Sequence, residues 1–119
     1  MAGETVDTQP RVLVVDDEPM NIFVLQTMLS ELGIASDSAT GGSEALKLVQ
    51  MRADMLLAGE AVQPYGVILM DFCMPDMDGP TTAREIQALL SSSAYSGSPD
   101  TAGKLPFICC CSAYETQKF

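Results

Sequence analysis

Val67-Ile68-Leu69-Met70-Asp71-Phe72-Cys73-Met74-Pro75-Asp76-Met77-Asp78-Gly79 is the stretch that decides how this chain folds. Four apolar residues run without a break, stop at an aspartate, and give way to turn residues. A short continuous apolar run bounded in this way is the pattern of a strand covered on both faces. Val12-Leu13-Val14-Val15 repeats the pattern and ends in Asp16-Asp17. Two buried strands that finish on acids place Asp16, Asp17 and Asp71 at one edge of a sheet. In an open α/β sheet, ligands bind outside the carboxyl ends of the strands. Carboxylates crowded there repel one another unless a hard cation such as Mg²⁺ neutralises them. These residues therefore describe an acidic cation pocket that holds a candidate nucleophile.

Outward from these two strands, strand and helix patterns alternate. Residues 1–10 are polar, end in Pro10 and read as a flexible tail, with the folded domain spanning 11–119. Pro19 suits a first helical turn. Ile22, Leu25, Leu29 and Leu32 keep helical spacing up to Gly33, a helix stop. Ile34 to Ala39 is a weak second strand. Thr40-Gly41-Gly42-Ser43 is a turn and N-cap for a helix carrying Leu46, Val49, Met55 and Leu56. Thr81 to Leu90 is a third helix with Ile86, Leu89 and Leu90 inward. Ser91 to Gly103 reads as a long Ser/Gly/Pro-rich loop, and Leu105 to Cys111 as the fourth strand. Alternation of this kind implies a parallel βαβ sheet.

The composition excludes several functions. Sixteen Asp+Glu against six Lys+Arg give a net charge of −10 over 119 residues. Such a chain repels phosphate backbones and anionic lipid, which argues against nucleic-acid or membrane-surface binding. There is no histidine, so chemistry must run on carboxylates. No apolar run reaches the roughly 20 residues of a membrane span. The acidic opening residues lack a signal peptide's basic and apolar regions, so the expected compartment is intracellular. The four cysteines are Cys73 and the run Cys109-Cys110-Cys111. Adjacent cysteines on a strand point alternately to opposite faces and lack zinc-site spacing, so they are expected to be buried small apolar residues.

Val14-Val15-Asp16-Asp17-Glu18, the segment from Leu69 to Gly79, and Phe107-Ile108-Cys109-Cys110-Cys111-Ser112-Ala113 together resemble three signature segments of response-regulator receiver domains. The likeness runs from about Arg11 to Glu115, and the Met-Pro-x-Met-Asp-Gly wording is similar to receivers attached to hybrid histidine kinases. Taken singly, the segments are weak: Asp-Asp reads as a turn, Ser112 as a helix cap, and Asp78-Gly79 as a turn signal. Rival motifs fail on particular residues. An EF-hand loop from Asp76 would put Pro80 at a ligand position and Gln87 at the closing one. Asp71-Phe72-Cys73 lacks the kinase glycine. An aspartyl-nucleophile phosphohydrolase would want Asp at position 73.

The resemblance implies a flavodoxin-like doubly wound α/β sheet of strand order 2-1-3-4. It also implies a cytoplasmic, non-enzymatic phosphoacceptor serving a histidine kinase or histidine phosphotransfer protein. Asp71 matches the phosphoacceptor and Ser112 the switch hydroxyl, with small Ala113 leaving room beside the acceptor. Asp17 would ligate Mg²⁺ directly and Asp16 through water. Asp71 and the backbone carbonyl of Cys73 would complete the protein's share. Pro75, Asp78 and Gly79 shape the turn, Gly79 through permissive backbone angles.

The chain departs from the family at its end. A further helix and strand need about 22–25 residues on average element lengths, and seven follow Ser112. The fifth strand and helix are therefore expected to be missing, and Lys118, six positions past Ser112 in the place of a fourth helix, cannot be assigned the family's phosphoryl-contacting lysine. An alternative reading follows, a phosphorylation-incompetent interaction module or an inactive fragment of a larger hybrid kinase. Loss of those elements would also leave the fourth strand as an apolar edge open to self-association.

Overall fold

The computed structural model describes residues 10–98, 101, 103–111 and 116–118; the tail expected over residues 1–9 lies outside them. The elements are β1 (Val12–Val15), α1 (Pro19–Glu31), β2 (Ser36–Ala39), α2 (Gly42–Leu57), β3 (Val67–Asp71), α3 (Gly79–Leu90), α4 (Ser93–Ser96), β4 (Phe107–Cys111) and β5 (Thr116–Lys118). The sheet order is β2-β1-β3-β4-β5, and the first four strands run parallel, as the sequence pattern requires. From β1 the chain steps to β2 on one side and later to β3 on the other. The switch in strand order therefore lies between β1 and β3.

Alternation along the strands divides the apolar residues between two faces. Leu13, Val15, Ile68, Met70, Ile108 and Cys110 enter the main core beneath α2 and α3, with Val49, Leu56, Ile86 and Leu90. Val12 and Val14 face α1, where Ile22 is buried and Leu25, Leu29, Val67 and Leu69 are partly covered. Leu32, expected inside, is 74% exposed, because α1 closes at Glu31.

The end of the chain departs from expectation. Thr116–Lys118 is not helical but forms a short antiparallel strand opposite Cys109–Cys111. Described residues thus cover part of the β4 edge that was expected to be bare, and only Phe107 and Ile108 lie beyond that pairing. Self-association through an open fourth strand loses most of its physical basis. The family's parallel fifth strand and its helix do not occur among the described residues.

The described part of the connection from Ser91 to Gly103 is also more ordered than its composition suggests. It contains α4 and buries Tyr95, whose hydroxyl donates to the Lys104 carbonyl at 2.9 Å. Thr101, fully buried, donates its hydroxyl to the Tyr95 carbonyl. At the opposite edge from the aspartates, Arg52 ties the α2–β3 connection down. Its guanidinium donates to Pro10 O at 2.9 Å and Gln63 O at 2.6 Å, pairs with Asp37 at 3.2 Å, and lies over the Tyr65 ring. The Tyr65 hydroxyl donates to the same Asp37 oxygen at 2.5 Å. Burial and that carboxylate push the Tyr65 phenol upward.

Candidate functional site

Parallel register places the acidic residues side by side. Val15 is the partner of Met70, so the next residues, Asp16 and Asp71, leave neighbouring strands together at the switch point. Asp16, Asp17 and Asp71 each offer a carboxylate oxygen, and all three oxygens lie within 4.8 Å of one another. They line an open cleft of about 570 Å³ with Glu18, Asn21 and Cys111.

The three carboxylates are held differently. Asp16 is 8% exposed and accepts from the Glu18 N–H at 2.9 Å and from the Asn21 side-chain amide at 3.2 Å. Asp17 is exposed and Asp71 half-buried. Burial, then repulsion from Asp16, raises the Asp71 carboxyl above its ordinary range. The Cys73 backbone N–H, donating to it, pulls the other way. A site that strains its own carboxylates in this manner suits a divalent cation, which reverses the sign of the local field. The donor set is all oxygen and carries three negative charges, the chemistry that Mg²⁺ takes.

The β3–α3 turn is built to hold Asp71 in place. Asp78 caps α3 by accepting from the Thr81 N–H at 2.8 Å, and Pro80 occupies the first turn. Gly79 is required for space rather than for unusual backbone angles. A Cβ there would lie 2.5 Å from the Asp71 carbonyl oxygen and 3.1 Å from Phe72 Cα. The positive-φ glycines of the described chain are instead Gly33, Gly59 and Gly103.

Asp76 plays a part that the sequence motif did not disclose. Its carboxylate crosses to the start of α2 and accepts from Gly42 N–H at 3.2 Å and Ser43 N–H at 3.0 Å. Those N–H groups hold the Asp76 carboxyl below its usual range. Asn21, which orients Asp16, was equally hidden, since an exposed helical Asn carries no signal until the helix start is placed against the pocket. Of the four cysteines expected to be buried, Cys110 is; Cys73 is exposed in the turn, and Cys109 and Cys111 are partly exposed because alternation along β4 turns them to the less covered face. Ser112 and Ala113 lie outside the described residues.

The family model for the response regulator receiver domain matches residues 12–94. The chain is 37% identical over 79 residues, 66% of its length, to the sensor protein GacS of Pseudomonas syringae pv. syringae, and spans 8% of that relative. Among solved structures it is similar to the D1050A mutant of the receiver domain of the histidine kinase CKI1 from Arabidopsis thaliana. That match has a TM-score of 0.76 at 28% identity, over 93% of this chain and 71% of the other. The same CKI1 domain complexed with Mg²⁺ and BeF₃⁻ gives a TM-score of 0.72 at 30% identity, over 88% and 67%. No helix among the described residues is long and apolar enough to cross a membrane.

Proposed function

The chain belongs to the response-regulator receiver domains, and from that premise we propose that it accepts a phosphoryl group on Asp71 from a phosphohistidine. The donor is a histidine kinase or a histidine phosphotransfer protein, and the setting is a cytoplasmic phosphorelay. The observation that carries this reading is the meeting of Asp16, Asp17 and Asp71 at the switch point, with their oxygens within 4.8 Å. The free cysteines fit a reducing compartment.

In the transfer, an Asp71 carboxylate oxygen attacks phosphorus in line. The P–N bond breaks, its electrons return to the imidazole, and an acyl phosphate forms on Asp71. Such transfer depends on positioning and charge stabilisation more than on acid–base help, which suits a site without histidine. Asp16 is fixed by Glu18 and Asn21, so it keeps its position as charge accumulates. Asp17, Asp71 and the Cys73 carbonyl would hold Mg²⁺ directly, with Asp16 acting through water. When bound, the cation supplies positive charge to the equatorial phosphoryl oxygens. The chain is a phosphoacceptor that takes part in its own transfer and slow hydrolysis rather than an enzyme with a separate substrate. CKI1 bound to Mg²⁺ and BeF₃⁻ supports the same ligand chemistry here.

Incubation with Mg²⁺ and a small acyl or amido phosphodonor, followed by intact-mass analysis, tests the assignment. One phosphoryl adduct is expected, lost in Asp71→Asn and lost on chelation of Mg²⁺. A folded chain that takes no adduct would instead be an interaction module with a receiver fold.

A further inference from the structure

We infer that Cys109 and Cys111 form a chelating site for a thiophilic divalent cation of the Zn²⁺ and Cd²⁺ class, beside the phosphoacceptor but distinct from its oxygen pocket. Residues two apart on a strand point to one face. The run of three cysteines therefore sorts into a pair and a single: Cys110 is fully buried in the core, while Cys109 and Cys111 are partly exposed on the other face. Their Sγ atoms lie 3.7 Å apart. Two thiolates on a tetrahedral ion with metal–sulfur bonds of about 2.3 Å are separated by about 3.8 Å. The pair thus already has the spacing of one edge of a tetrahedral site.

A disulfide fits this pair less well. Extended backbone holds residues two apart at about 6.7 Å between Cα atoms, the upper end of what a disulfide spans. Closing the sulfurs to bonding distance needs backbone movement, and β4 is fixed by ladders to β3 and β5. A bridging ion needs no such movement. Sulfur donors also select against Mg²⁺, which takes oxygen, so the two sites do not compete for one ion. Cys111 is the ladder partner of Asp71 and lines the same cleft. A cation on the thiols would therefore place positive charge next to the acceptor carboxylate. The inference concerns the thiols alone and stands apart from the phosphoacceptor reading.

Titration of the full chain with Cd²⁺, in excess Mg²⁺ to occupy the oxygen pocket, tests it. The expected result is one equivalent of thiolate-to-metal charge-transfer absorption, lost in Cys109→Ser and in Cys111→Ser and kept in Cys73→Ser. Wild-type protein gives a second readout that needs no variant. Cd²⁺ should protect Cys109 and Cys111 from iodoacetamide while Cys73 still reacts, as read by peptide mass analysis. Absence of the absorption band, its survival in either serine variant at strand β4, or unchanged alkylation of Cys109 and Cys111 would overturn the site.

Discussion

The two faces of the sheet are made from the same strands yet are finished very differently. Beneath α2 and α3, Leu13, Ile68, Ile86 and Cys110 have no exposed surface, and Tyr95 from the last long connection closes the rim. On the other face, among the described residues, α1 alone covers Val12 and Val14, and Val67 and Leu69 stay partly open. The helix carries large apolar residues on its outer side as well: Met20, Phe23, Val24 and Met28 are all exposed, and Glu31 is its single charged residue. A helix with large apolar residues on its outer as well as its inner side ordinarily has partners on more than one side. Among the described residues, one face is a finished core and the other a core with half its cover.

The largest test of that contrast is in the cores themselves. Ile86→Ala removes a fully buried side chain from a close-packed layer, and should lower unfolding free energy by about 2–5 kcal/mol, since the vacated volume cannot collapse. Leu25→Ala removes a half-covered side chain on the inner side of α1, with an expected loss of about 1 kcal/mol. Urea unfolding of both variants reads the difference. Equal losses would mean that the α1 face is packed as well as the other.

The finished face and the acidic edge were legible in the sequence because their signals are local. Apolar runs ending in Asp16 and Asp71 fix strands and pocket together, and Ile86 and Leu90 fall on the expected helical face. Long-range partners were not legible. Arg52 reads as a surface charge on α2 until Asp37, Tyr65 and two backbone carbonyls converge on it. Tyr95 and Thr101 lie in a Ser/Gly-rich stretch whose composition hides their mutual hydrogen bond. The antiparallel pairing of Thr116–Lys118 with β4 was not legible because the family's register places those positions in a helix.

A smaller effect links the pocket edge to the finished face. Asp76→Ala strips the carboxylate from the start of α2, leaving the Gly42 and Ser43 N–H groups to water. Loss of a helix cap costs about 0.5–2 kcal/mol, and the exposure of Asp76 puts this one at the low end. The sign with pH follows from its depressed carboxyl. Stability from a group whose folded pKa lies below the unfolded value is present above the unfolded value, about 3.9, and is lost as pH falls through the folded one. Denaturation curves of wild type and Asp76→Ala should therefore differ at neutral pH and converge in acid. A gap that persists at low pH would assign the effect to packing rather than to the cap.

The smallest stability effect is expected on the exposed side of α1, where the consequence is association. Phe23 is 66% exposed and Met28 56%, so Phe23→Ser combined with Met28→Ser should change unfolding free energy by at most about 1 kcal/mol. Contiguous apolar surface of this kind drives chains together unless charge keeps them apart. The charge is substantial, −10 on the whole chain, but α1 contributes only Glu31 to it. Salt screens repulsion between chains and leaves apolar contact intact. Sedimentation velocity of the wild type should then show concentration-dependent association that strengthens as salt is raised, and the double variant should stay monomeric throughout. Association that weakens with salt would point to charge pairing instead. A wild type that stays monomeric at every salt concentration would show that the partly open face is tolerated in water as it stands.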